Sequence, residues 1–172
     1  MPLLTILIIS FLSGSLIKFT DDISDKSITV NPFYSIPFGL VYGLLMGYLM
    51  MIDTSASYLF GGIVLGCLIT GKINNTGHYF GLSGILIINF LYVDALSPLV
   101  LLIGAIAAFD ELKDIIKISG PLKFIFDYRM NLKIGIFALV ILNFLELNAL
   151  IILLVFDLAY ILTDSLTSRF LK

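Results

Sequence analysis

Residues 80–109 read FGLSGILIINFLYVDALSPLVLLIGAIAAF, thirty positions whose polar character is concentrated at Asp94, Ser97 and Pro98. A single helix of that length would be about 45 Å long at 1.5 Å per residue, against a hydrocarbon core of about 30 Å. Two short helices joined near Asp94 and Pro98 would fit instead. Residues 132–163 pose the same choice, with Glu146 and Asn148 as the interruption. How these two runs divide sets the number of membrane crossings for the whole chain.

Self-comparison favours division. The segment Asn89-Phe90-Leu91-Tyr92-Val93-Asp94-Ala95-Leu96 matches Asn143-Phe144-Leu145-Glu146-Leu147-Asn148-Ala149-Leu150 at five of eight positions, at an offset of 54. The same offset carries Asp110 onto Asp164. The spacing therefore reads as an internal repeat of an apolar hairpin and its acidic end.

Charge placement gives a second test. With seven spans, all ten basic residues fall at or beyond one side: Lys18, Lys26, Lys72, Lys113, Lys117, Lys123, Arg129, Lys133, Arg169 and Lys172. With five long spans, Lys113 to Arg129 would lie opposite Lys26 and Lys72, against the enrichment of cytoplasmic loops in Lys and Arg. Seven spans place the N-terminus outside and the C-terminus in the cytoplasm of a multi-pass cell-membrane protein. Several spans are then roughly 13 to 15 residues long, short for an average bilayer.

Composition agrees with the class. Of 172 residues 59% are hydrophobic and 13% charged, and mean hydropathy is +1.09, whereas soluble domains carry about 25% charged residues. A net charge of -2 with scattered basic residues excludes the dense cationic surface of a nucleic-acid binder, so no nucleic-acid partner is expected. The lone Cys67 lies in an apolar run and reads as packing. No basic region or small-residue cleavage pattern precedes Lys18, which argues against a removed signal peptide.

The first span covers 3–19. Residues 37–52 and 58–70 read as a hairpin broken at Asp53-Thr54-Ser55, with Pro37 suited to a first helical turn. Gly39, Gly43 and Gly47 recur every fourth residue, and Gly62 and Gly66 continue the theme. Such stripes admit close helix approach, within the chain or as the contact of a homo-oligomer. Residues 118–131 alternate aromatic and basic side chains, as in a segment at headgroup level or a lid over a lipid headgroup. The fold expected is an all-α polytopic membrane bundle in one domain, 1–172, of one helix plus three hairpins.

Three of these spans end in acid: Asp21-Asp22-Ile23-Ser24-Asp25, Asp110-Glu111-Leu112-Lys113-Asp114 and Thr163-Asp164. A carboxylate at a helix C-terminus is mildly unfavourable unless a cation offsets it. The offset can be local pairing, as of Lys18 with Asp21 or Asp22 and of Lys113 or Lys117 with Asp110 or Asp114. It can also be a divalent ion, since Asp21 and Asp25, like Asp110 and Asp114, are one helical turn apart, and Mg²⁺ takes one or two carboxylates plus water and phosphate oxygens.

The Asp21-Asp22-Ile23-Ser24-Asp25 stretch resembles the DDxxD motif of polyprenyl-diphosphate transferases. Asp110-Glu111-Leu112-Lys113-Asp114 is similar to the DxxxD second motif of the UbiA-type membrane branch. The resemblance implies a Mg²⁺-dependent membrane enzyme acting on a polyprenyl or lipid phosphate at the cytoplasmic face. Asp21, Asp22, Asp25, Asp110 and Asp114 would hold the metal, and Lys18 or Lys113 would pair with phosphate.

The leading alternative belongs to a different class. Asp157 lies within the last span, where a carboxylate costs about 2.5 to 3.5 kcal/mol on insertion scales and must face the interior, a cavity or a partner. Tyr160 and Asp164 follow on the same helical face. With Asp21 they outline a cation or proton path in a small transporter or channel. A third reading is a non-catalytic subunit whose glycine stripes dock partners. His78 has no His, Cys or acid at ligand spacing and is not expected to bind metal. No serine or cysteine nucleophile motif, HExxH, P-loop or dinucleotide-binding glycine pattern occurs.

Overall fold

A computed structural model describes residues 3–25, 28–89, 97–111 and 120–170. Among them the chain forms eight α-helices, α1 (Leu3–Ser24), α2 (Ser35–Ile52), α3 (Thr54–Ile69), α4 (Thr76–Asn89), α5 (Pro98–Asp110), α6 (Pro121–Asp127), α7 (Met130–Ile141) and α8 (Leu147–Phe170), with a 3-10 turn over Pro32–Tyr34. Each long apolar run is two helices: α4 and α5 in the first, α7 and α8 in the second. Three segments, Leu3–Ser24, Pro32–Ile52 and Leu147–Phe170, are long and apolar enough to cross a membrane. The fold is that of a helical membrane protein.

Local chemistry explains the breaks. Asp53 caps α3, its Oδ1 accepting from the Ala56 N–H at 2.7 Å, a cap of about 1 kcal/mol. Ser97 does the same for α5 through the Leu99 N–H, with Pro98 in the first turn. Asn75 accepts from the His78 N–H at 2.9 Å and opens α4. Gly71 turns the chain after α3 at a φ of +70° in open space, a conformation that L side chains resist.

Contacts group the chain into two compact units. The first comprises Met1–Ile52, Asn74–Val93 and Ile151–Lys172, and the second Asp53–Ile73 and Asp94–Leu150. In the first unit the glycine stripe of α2 is filled by α4. A Cβ at Gly39 would strike the carbonyl oxygen of Gly77, and one at Gly43 that of Gly81, while Gly47 would meet the Ile85 Cα at 3.2 Å. The register rises along both helices together, so α2 and α4 are parallel. Helix α8 runs parallel to α1, with Gly14 against the Phe156 backbone and Asp22 against Thr167. Ile6, Ile9, Met46, Leu49, Ile85 and Phe156 are buried there.

In the second unit Gly62 meets Ile103 and Gly66 meets Ala107, so α3 and α5 are also parallel. Helix α7 runs antiparallel to α5, with Gly135 facing Ile106 and Asn131 facing Asp110. Across both units large apolar side chains lie outside, among them Leu4, Ile8, Phe137 and Leu158, while Ser10, Ser13, Thr20, Asp22, His78, Asp110 and Asp157 are buried. Apolar outside and polar inside is the distribution that a lipid solvent favours. The matched segment 90–96 lies outside the described residues, as do Lys26, Lys113, Asp114, Lys117 and Lys172.

Candidate functional site

Thr20, Asp22, Ser35, His78 and Thr167 are buried at one end of the first unit, while Ser10, Ser13, Asn89 and Asp157 are buried farther along its helices. Helix α1 continues to Ser24, past the span expected for it, so Asp21 and Asp22 lie in its last turns and not beyond them. The starts of α2 and α4 meet that end: Phe19 packs edge to face on Phe38 at 5.1 Å, and Gly77 is pressed between Thr20 and Ser35. A glycine is needed at 77 because a Cβ would clash with the Thr20 methyl. Its absence of side chain brings His78 up to the carboxylate of Asp21.

Four side chains form a continuous hydrogen-bonded series. Tyr42 Oη lies 2.9 Å from His78 Nδ1, His78 Nε2 lies 2.5 Å from Asp21 Oδ1, and Tyr160 Oη donates to Asp21 Oδ2 at 3.0 Å. With Asp21 ionised and His78 neutral, the hydrogens fall in one order. Both Tyr160 O–H and His78 Nε2–H donate to the carboxylate, leaving Nδ1 to accept from Tyr42 O–H. Tyr42 and His78 are 4% and 8% exposed.

A second cluster abuts the first. Lys18 Nζ lies 3.1 Å from Asp22 Oδ1 and 2.9 Å from Asp164 Oδ1, and stands 5.4 Å from the centroid of the Tyr160 ring. The other oxygen of Asp22 accepts from the Thr167 hydroxyl. Tyr160 thus serves both groups, its hydroxyl on Asp21 and its ring beneath Lys18. Asp157, three residues earlier in α8, is 7% exposed.

The second unit holds its own polar group. Asp110 closes α5 and accepts at 2.7 Å from Asn131 Nδ2 and at 2.8 Å from the Leu132 N–H, so it caps the start of α7 from a neighbouring helix. That start needs such help, because Arg129 precedes it in the left-handed region at a φ of 49° and supplies no side-chain cap. Glu111 is held by Lys72 at 3.5 Å and Arg129 at 3.0 Å. Asn148 Nδ2 donates to Asp53 Oδ2 at 3.3 Å, and Ser55 accepts from the Glu146 N–H at 3.0 Å.

Of the residues singled out by sequence, Lys18, Asp21, Asp22, Tyr160 and Asp164 share one end of the first unit. Asp25 follows the last turn of α1 and is exposed, Asp110 belongs to the second unit as a helix cap, and Lys113 and Asp114 lie outside the described residues. Sequence reasoning missed His78, Tyr42 and Thr167. The only local signal for His78 was its place in the first turn of a helix beginning at a polar break. Among the described residues no group of three or more His, Cys, Asp or Glu side chains is placed to hold a metal ion.

Comparisons with protein-family models, curated proteins and solved structures give no match to this chain.

Proposed function

We propose that the protein moves protons across a membrane, with Asp21, His78, Tyr42 and Tyr160 as part of the path. The observation that carries this reading is the unbroken Tyr42–His78–Asp21–Tyr160 series, linking α2, α4, α1 and α8 in a lipid-facing bundle. Ionisable chains inside membrane helices are a recurrent feature of proton relays. The chemistry balances without a cofactor. A proton delivered from Tyr42 to His78 Nδ1 makes an imidazolium, and the Nε2 proton then passes to Asp21. The neutral Asp21 releases it toward solvent, Tyr42 is reprotonated from its far side, and the imidazole, left protonated on Nδ1, must turn over to present Nε2–H to Asp21 again before the next transfer.

Seven crossings fit this reading. Parallel pairing of α2 with α4, and of α3 with α5, requires the chain to travel back once between the partners, as alternating spans do. The antiparallel α5 and α7 and the parallel α1 and α8 follow the same alternation. The basic-residue bias favours an outside N-terminus, a cytoplasmic C-terminus and a cytoplasmic location for the acidic end. Helix α7, at 12 residues, would be about 18 Å long, which calls for a locally thinned bilayer.

The magnesium-dependent reading, in which the chain acts on a polyprenyl or lipid phosphate, keeps its motif resemblance as support. It ranks second because Asp21 and Asp22 already have protein donors on both carboxylate oxygens. The deciding experiment reconstitutes the purified protein in liposomes loaded with a pH-sensitive dye and imposes a potassium diffusion potential. Proton uptake above that of empty liposomes, lost in Asp21→Asn and in His78→Ala, is the expected result. Uptake equal to empty liposomes removes the proton-path reading, and magnesium-dependent diphosphate release from a prenyl diphosphate would put the enzyme reading in its place.

A further inference from the structure

We infer that α6 and the start of α7 form a docking surface for anionic phospholipid, with Lys72, Lys123, Arg129 and Lys133 toward the headgroup and the outer stripe of α7 toward its acyl chains. The inference is independent of the proton-path reading and concerns only the second unit. Helix α6 is held at one end of the antiparallel α5 and α7. Its Phe126 ring lies 5.5 Å from that of Phe109 in the last turn of α5, and the Lys133 ammonium reaches back from α7 to the Tyr128 carbonyl oxygen. Lys123, Phe124, Asp127 and Tyr128 are exposed, at spacings that put them on one side of a helix. The rings of Phe124 and Tyr128 stand side by side, 4.7 Å between centroids. Exposed aromatic rings among basic side chains suit the headgroup level of a bilayer.

The layering of charge selects the headgroup. The Lys123 side chain is 67% exposed and that of Lys72 37%, and Arg129 and Lys133 are half-buried. Glu111 and Asp110, the carboxylates nearest them in the fold, are buried behind this layer. Among the described residues at this end, Asp127 alone brings a carboxylate to the surface. Its pair with Lys123, at 3.5 Å, is an exposed one that solvent screens. The surface is therefore positive, in a chain whose net charge is -2. Clustered Lys and Arg at a membrane surface attract anionic lipids, whereas a zwitterionic lipid offers them no net charge. From Lys133 the exposed Phe137 and Ile141 follow one and two turns along α7, with the exposed Ile134 beside them. A phospholipid seated here sets its phosphate against the cations and its chains against this apolar stripe.

The chain has no tryptophan, so Phe124→Trp supplies a single fluorophore on α6. The full-length variant is reconstituted in bilayers of equal phosphatidylglycerol and phosphatidylcholine, one or the other brominated on its acyl chains to quench the fluorescence. Phosphatidylglycerol is expected to be preferred beside the tryptophan by about fivefold, the scale set by a few clustered cations. Adding Lys123→Gln and Lys133→Gln is expected to abolish the preference. Leu4→Trp, exposed on α1 with no Lys or Arg before Lys18, is the reference and is expected to show none. Raising sodium chloride screens headgroup attraction and is expected to lower the preference, a readout that needs no charge variant to fold. Equal quenching by the two lipids overturns the inference, as does an equal preference at both tryptophans or one that survives salt or the glutamine substitutions. Quenching by neither lipid also overturns it, because another protein surface then covers α6. Sodium phosphate that removes the preference more than sodium chloride of equal ionic strength overturns it in favour of a free anion.

Discussion

His78 and Asp21, 57 positions apart in sequence, face each other at 2.5 Å where the first turn of α4 meets the last turns of α1. Each residue fixes the other: the carboxylate holds the imidazole Nε2–H, and the imidazole leaves Nδ1 to accept from Tyr42. Asp21→Asn removes the anion and turns one of its two acceptor oxygens into an NH2 donor, so the side chain can accept from His78 or from Tyr160 but not from both. Loss of one partner from a buried hydrogen bond costs about 1 to 3 kcal/mol, which a fall in melting temperature in detergent will register. Proton uptake in liposomes should fall by about tenfold or more, a barrier increase of about 1.4 kcal/mol or more. His78→Gln should retain more stability than His78→Ala while restoring no flux.

The α2 and α4 contact tolerates no side chain at Gly43, because a Cβ there meets the backbone of Gly81, which has no rotamer by which to yield. Gly43→Val is expected to destabilise by about 3 kcal/mol or more, at or above the upper end of overpacking costs. Gly71→Ala serves as the contrast, since nothing stands within 4 Å of it and only its φ of +70° matters. Its cost should be about 1 kcal/mol. Paired melting curves in one detergent will separate the two, and equal losses would count against the packing described.

Glu111 is 6% exposed and is gripped by Arg129 and Lys72. Glu111→Gln removes the buried carboxylate from two partly exposed cations and should cost about 1.5 to 3 kcal/mol, the range for hydrogen bonds to charged groups. Lys72→Ala should cost less, about 1 kcal/mol or below, because the Lys72 side chain is 37% exposed and solvent screens such a pair. Chemical or thermal unfolding of the second unit, followed by a reporter attached to α7, provides the measurement.

Span direction can be read by cysteine labelling in a Cys67→Ala background, which removes the one native thiol. Asn74, Glu146 and Ser168 are exposed positions suited to single cysteines. On the alternating arrangement, Asn74→Cys and Ser168→Cys react with a membrane-impermeant maleimide from the same side and Glu146→Cys from the other. Labelling of all three from one side would exclude seven alternating crossings.

Much of the helical framework was legible because its signals are local. Pro98 after Ser97, Asp53 before Thr54 and the fourfold glycine spacing of α2 each act on a few neighbouring residues, and the helices break and pack where these occur. The polar interior was only half legible. Lys18 and Asp22 sit one turn apart, so their ion pair could be read directly, whereas Tyr160 reaches Asp21 across 139 positions and His78 across 57. Asp110 illustrates the converse. Its spacing to Asp114 suggested a metal motif; what spacing could not show is that its carboxylate accepts hydrogen bonds at the start of α7, 21 residues away. Spacing along one helix reports which residues share a face; it carries no information about which helix that face meets.

The interleaving of the two units also fixes the order in which the chain can be completed as it is made. Helix α2 leaves the ribosome with α1 already beside it, but its glycine stripe is filled only when α4 follows, and α3 waits in turn for α5. The longest wait falls to the end of α1, where Lys18, Asp21 and Asp22 acquire Tyr160, Asp164 and Thr167 only after more than a hundred further residues have been added. A nascent chain stalled before α8 would keep the Lys18–Asp22 pair and the Asp21–His78 contact but lack Tyr160, Asp164 and Thr167. That half-finished end is where a membrane insertase or quality-control protease would find its handle, and arrested chains ending before residue 160 should be degraded faster than chains ending after 168.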